Sequence, residues 1–154
     1  GIVSATGYTN PSSFALSVFP TAQEAAILGT NTDVLVNHGS PDAPTVDVVE
    51  TSVPAGTIVN DIAFPSFAGY LQLPTANYTL DVRDASGTTT VASYSAPLQT
   101  LALNGAAITV LASGFLNPAT NSNGPAFGLW VATAAGGDLI PLPTASARAQ
   151  VIKN

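Results

Sequence analysis

Short runs of β-branched and aromatic residues, each closed off by Gly, Pro, Asn, Asp or Ser, recur along the whole chain. This rhythm admits short strands and little else. It marks candidate strands at 2–6, 13–19, 33–37, 45–50, 57–62 and 68–73, and again at 77–83, 88–95, 99–103, 107–113, 127–133 and 148–152. In Asn77-Tyr-Thr-Leu-Asp-Val-Arg83 the alternation is clean, with Tyr78, Leu80 and Val82 on one face and polar residues on the other, as in a half-buried strand. Ile108-Thr-Val-Leu111 is apolar on both faces, which suits a central strand. The prolines fall almost wholly between the runs, where no ladder hydrogen bond is lost. Only 21–28 (TAQEAAIL) is helix-like, and a turn or two of helix is expected there.

Turn chemistry agrees at 40–44, 84–87, 103–105, 117–125 and 135–138. The expected fold is therefore all-β: an antiparallel sandwich of immunoglobulin-like or transthyretin-like type, with extra N- and C-terminal strands. No charged residue lies between Asp84 and Asp138, and Leu98–Leu116 is apolar enough to raise the question of membrane insertion. Asn104-Gly105 interrupts it between two apolar runs, so a hairpin of two buried strands is expected rather than a spanning helix.

Composition removes several functions. The chain has three bases (Arg83, Arg148, Lys153) against nine acids, a net charge of −6. Three bases cannot track a phosphate backbone or hold an anionic membrane, so neither nucleic acid nor a membrane surface is an expected partner. Without cysteine there is no disulfide framework, thiolate zinc site or thiol nucleophile. A single histidine, His38, excludes a multi-histidine metal site, and no glycine-rich phosphate loop occurs. Because Gly1 is not an initiator methionine, a processed or excised chain is expected.

Parts of the chain repeat. Residues 4–11 (SATGYTNP) match 111–118 (LASGFLNP), with Gly7 against Gly114 and Asn10-Pro11 against Asn117-Pro118. Residues 13–18 (SFALSV) match 126–131 (AFGLWV), and 32–39 (TDVLVNHG) share their pattern with 147–154 (ARAQVIKN), where Lys153 stands at the position of His38. The blocks keep their order, as in a tandem array with a period of roughly 110 residues. Residues 1–31 then correspond to the end of one unit, 32–145 to a full unit, and 146–154 to the first strand of the next.

The most specific stretch is 34–50 (VLVNHGSPDAPTVDVVE), with His38, Ser40, Pro41, Asp42, Ala43 and Pro44 in a turn followed by Val46-Asp47-Val48. It resembles the opening of a bacterial and archaeal family known as domain of unknown function 4397. Residues 63–83 and the 107–114 strand are similar to later blocks of that family, so the resemblance covers nearly all of the full unit. It departs in having Val36-Asn37-His38 where the family often ends that strand in Val-Val-His. The resemblance implies a secreted or surface-exposed β-sandwich, often in tandem copies, and no known activity.

Three clusters are candidates for chemistry. His38, Ser40 and Asp42 share one turn, but residues two apart in a loop rarely converge on one reacting atom; with Pro41 and Pro44 they read as turn structure. Asp42, Asp47 and Glu50 are the densest acids and would suit calcium, yet no DxDxDG-type spacing supports it and no cofactor is expected. Asp81, Arg83 and Asp84 read as a surface pair and a hairpin cap. Trp130, Phe127, Tyr70, Tyr78 and Phe115 read as core rather than as a ligand groove, and Asn77-Tyr78-Thr79 is a glycosylation sequon by pattern. The expected function is non-enzymatic: an extracellular structural module joined to other copies or neighbouring repeats by edge-strand pairing. Arg148, Gln150 and Ile152 lie on the assembly strand. The alternative is an adhesin-type module binding surface glycans or another ligand; a hydrolase ranks last.

Overall fold

The computed structural model describes residues 2–4 and 15–145. Its strands are β1 (Ile2–Ser4), β2 (Ala15–Ser17), β3 (Asn31–His38), β4 (Val46–Glu50), β5 (Gly56–Ile62), β6 (Phe67–Pro74), β7 (Asn77–Asp84), β8 (Thr90–Pro97), β9 (Ala107–Ser113), β10 (Gly128–Thr133) and β11 (Ile140–Pro141). Two sheets face each other, one in the order β11-β10-β9-β3-β6 and one in the order β5-β4-β7-β8. The fold is thus the all-β sandwich expected. Every ladder is antiparallel except β3–β9, which is parallel. Parallel neighbours need a long crossover, and here the whole second sheet lies between them in sequence.

The two-residue period decides which side chains fill the gap. Val34 and Val36 on β3, Ile108 and Val110 on β9, and Leu129 and Val131 on β10 meet Val48, Leu80 and Val82 from the other sheet in one cluster. β9 is central, as its two-sided apolar sequence requires. An apolar cavity of about 50 Å³ remains between the sheets, with His38 at its margin. No described helix is long and apolar enough to cross a membrane.

Two expectations fail. Residues 21–28 are not helical, because their amides are taken by distant partners. Gln23 N donates to the Tyr70 hydroxyl (2.8 Å), Ala26 N to Gly105 O (2.9 Å) and Ile27 N to Asp33 Oδ2 (3.0 Å). Residues 99–103 are likewise not a strand. Leu101 N returns to Pro97 O (2.9 Å), Ala102 N to Gln99 O (3.0 Å) and Leu103 N to Leu98 O (3.0 Å), coiling the chain into turns that bury Leu98 and Leu103. The Asn104-Gly105 hairpin therefore does not form; Gly105 N donates instead to Asn31 O (2.7 Å) at the start of β3.

β1 and β2 form a separate antiparallel pair outside both sheets. They carry the repeat of β9–β10, but Ile2 lies opposite Ser17, where copying the Leu111–Trp130 pairing would place Ser4. The chain enters the sandwich at Phe19, which packs against Phe67 and Tyr70 of edge strand β6 at centroid distances of 5.4 and 5.9 Å. It leaves along the opposite edge: Ser95 N donates to Pro143 O and Ala145 N to Ser93 O, both at 2.8 Å, beside β8. The expected assembly strand, with Arg148, Gln150 and Ile152, lies outside the described residues.

Candidate functional site

β3 delivers His38 to the end of the sandwich, next to Ala112 of β9. Gly39 N continues the ladder by donating to Ala112 O (2.7 Å), so the following turn wraps over the end of β9. His38 is 1% exposed. Its Nε2 lies 2.9 Å from Pro44 O, which can only accept, so Nε2 carries the proton; Nδ1 then accepts Ser40 N at 3.4 Å. The rings of His38 and Phe64 meet in a T-shaped arrangement, their centroids 6.3 Å apart. Both ring nitrogens are therefore occupied within the turn.

Ser40 is fully buried and its hydroxyl donates to Gly114 O at 2.7 Å. A hydroxyl has one proton, so the 3.4 Å approach to Asp42 Oδ1 is secondary to that bond. Asp42 reaches over the loop after β9. Its carboxylate accepts Leu116 N (2.8 Å), Asn117 N (2.9 Å) and Asn121 Nδ2 (3.1 Å). Burial alone would push the Asp42 carboxyl up, but the amides of Asn117 and Leu116, with Ser40, outweigh it and hold the group below its ordinary value. Pro41 fixes φ in the turn and Pro44 supplies the carbonyl for His38.

These contacts depend on Gly114. Its φ is +87°, and a Cβ there would sit 2.2 Å from Ala126 O. The repeated Gly-x-x-Asn-Pro motif thus combines a left-handed glycine with the carbonyl that Ser40 binds and an Asn117 amide that Asp42 binds. The sequence singled out the turn but not its partners. The signal was present in the repeat, where Gly114 and Asn117 recur as Gly7 and Asn10.

The other acids fasten different loops. Asp47 is buried and accepts the amide of Asp61, whose φ is +53°, at 2.7 Å. Glu50 is 2% exposed. It accepts Ser52 N (2.7 Å), Val53 N (3.0 Å), Ala55 N (3.1 Å) and the Ser52 hydroxyl. Burial would raise it, and the Ser52 hydroxyl and the three amides together lower it. Asp42, Asp47 and Glu50 do not converge, and among the described residues no three potential metal ligands cluster. Asp81 binds Arg83 (2.9 Å) and the Ser93 hydroxyl (2.6 Å), while Asp84 accepts the Ser86 hydroxyl (2.6 Å) and Thr89 N (3.3 Å) across its hairpin. Asn77 of the sequon is exposed and its amide exchanges hydrogen bonds with Thr100.

Sequence reading missed Asp33, which alternation alone would leave facing solvent. It is fully buried beneath residues 23–27, with Oδ2 accepting Ile27 N and Oδ1 unpartnered among the described residues. The aromatics divide. Tyr78 and Phe115 are core, Phe127 packs 6.5 Å from Tyr94, and Tyr70 holds Phe19. Trp130 faces outward, opposite Leu111, and its six-membered ring covers Gly128, where a Cβ would meet Cη2 at 2.8 Å.

A family model described as Domain of unknown function (DUF4397) matches residues 32–125, from the start of β3 to just before β10. No curated protein and no solved structure matches the chain.

Proposed function

The chain belongs to the DUF4397 family, and from that premise we propose that it is a non-enzymatic structural module of the cell exterior that assembles with other copies of itself through strand edges. The observation that carries this reading is the character of those edges. β6, eight residues long, borders its sheet without one charged side chain; β8 is equally uncharged, but residues 143–145 cover part of its outer edge. Soluble proteins usually guard such edges with lysine or other charge. The His38 turn supports the non-enzymatic part, because its histidine, serine and carboxylate are spent on holding the loop after β9. The test is the state of the purified chain. Light scattering and negative-stain electron microscopy over a concentration series are expected to show concentration-dependent oligomers or filaments. A monomer at every concentration would overturn the reading.

One observation favours a second reading, an adhesin-type module. The outward, half-buried Trp130 ring lying over Gly128 is a flat apolar surface of the kind on which sugar rings stack. A glycan array with the native chain and Trp130→Ala addresses it; binding that the substitution removes would favour the adhesin.

A further inference from the structure

We infer that the cavity between the sheets is a binding site for the end of a neutral, unbranched alkyl chain, which enters between the edge strands β5 and β6. This site stands independently of the assembly reading.

The walls decide the chemistry. Val34 of β3, Val110 of β9, and Val48 and Val82 of the opposite sheet line the cavity. Its few polar neighbours are spent. Both nitrogens of His38 are bonded within its turn, the Tyr78 hydroxyl donates to Pro74 O, and the Asn37 amide nitrogen donates to Ser66 O (3.2 Å). Even Asn37 Oδ1, unpartnered among the described residues, would offer a water a single bond where a buried water needs two to four. A wall facing a gap forfeits dispersion attraction, and an apolar guest restores it.

Size narrows the guest. One water-sized group occupies roughly 10–15 Å³, so about 50 Å³ has room for about four such groups. An engineered cavity that takes benzene measures about 150 Å³. A ring is therefore too large here, and a chain end of about four carbons fits.

The way in is one flank of the sandwich. Val36, Ile58, Leu71 and Leu73 line the cavity yet are only half-buried, and they lie on β3, β5 and β6. β5 and β6 border different sheets and face each other on this flank, and no ladder joins them among the described residues. The opposite flank is covered, because residues 143–145 run beside β8 and Phe127 packs on Tyr94.

Charge sets the rest of the molecule. β5 carries Asp61, β6 carries no charge, and neither strand has a base. A carboxylate or phosphate head would meet only a like charge at this entrance, so the guest is neutral, as an alkanol is.

Methyl resonances in two-dimensional NMR read the site, with 1-alkanols from propanol to octanol as probes. Saturable shifts are expected at Val34, Val36, Leu71 and Val110, and none at the exposed Val53 and Val91. Affinity should rise about fourfold per methylene at the start of the series and level off once the inner end is full. Hexanoate at neutral pH should bind about fivefold more weakly than 1-hexanol. Ala112→Val takes the room of about two carbons and should weaken 1-hexanol by about tenfold. Leu71→Ala, at the half-buried entrance, should move the levelling to longer chains, and it carries the test if Ala112→Val does not fold. Shifts that grow linearly and equally at Val53 and Val91, or affinity that climbs through octanol without levelling, mean partition onto the surface and overturn the site. Hexanoate binding as tightly as 1-hexanol overturns the neutral class. An unchanged series in folded Leu71→Ala overturns entry between β5 and β6.

Discussion

Two hairpins in this chain share a sequence pattern and meet different fates. β9–β10 lies inside a five-stranded sheet, bordered by β3 and β11 and backed by the second sheet. β1–β2 stands as a two-stranded pair outside both sheets. Leu129 and Leu16 occupy the same place in the repeat, at 6% and 63% exposure. Side-chain pattern therefore determines which face a strand turns inward, but not whether an inside exists. That depends on a third strand and an opposing layer, and only β9–β10 has both within the described residues.

The widest gap between the two hairpins should appear in stability. Leu129→Ala empties a packed site and is expected to cost about 2–5 kcal/mol. Leu16→Ala removes a side chain already in solvent and should change stability by less than about 0.5 kcal/mol. Urea denaturation of both variants measures the difference. Equal costs would mean that β1–β2 is already as well packed as its counterpart.

A smaller effect concerns the loop that follows each first strand. Gly114–Asn121 is tied down by Ser40 and Asp42. Asp42→Ala is expected to cost about 1–2 kcal/mol, since the loop amides lose a charged acceptor but water can reach them. Hydrogen exchange should quicken at Leu116 and Asn117 and stay unchanged in β4–β5. His38→Ala should lower stability by about 1–3 kcal/mol through loss of a buried, bonded ring, yet leave association intact. Loss of assembly in a folded His38→Ala protein would make the turn a functional site.

Acid acts on the same fastenings. Asp42 and Glu50 both have carboxyls held below their ordinary values in the folded chain. A depressed folded pKa contributes stability that is fully present above the ordinary carboxylate range and is lost as pH falls through the lowered value. Melting temperature should therefore hold steady near neutrality and drop on acidification below about pH 4. Asp42→Asn should flatten part of that drop.

Much of the sandwich was legible because its strands are locally consistent. In 77–83 and 107–113 period, turn chemistry and burial all agree. The failures have a common cause. Residues 21–28 have helix-forming composition, and 99–103 strand-like composition, but both are shaped by distant partners: Tyr70, Gly105 and Asp33 for the first, and Ala76 and the buried pockets of Leu98 and Leu103 for the second. A one-dimensional pattern does not encode such contacts. The site was half legible for the same reason. His38, Ser40 and Asp42 announce a turn by spacing, whereas their partners lie more than seventy residues away for Ser40 and Asp42. The crossover that makes β3 and β9 parallel neighbours is what unites them.

The last expected effect is the smallest on stability and the sharpest for the comparison. Leu16→Ser with Val18→Ser makes the exposed face of β2, and of the residue that follows it, polar without touching the sandwich core, where neither residue packs. Thermal unfolding should move by no more than the equivalent of about 0.5 kcal/mol. Association is a different matter. Each side chain, if buried between copies, would contribute about 1.5–3 kcal/mol, so losing both should weaken self-association by at least tenfold. Sedimentation velocity on native and doubly substituted chains reads that change. Unaltered association would show that the face of β2 takes no part, leaving the sheet edges such as β6 to join copies. Weakened association with an unchanged melt would place β1–β2 in the role that β9–β10 already fills: an inward face, waiting in this case for another molecule to become its interior.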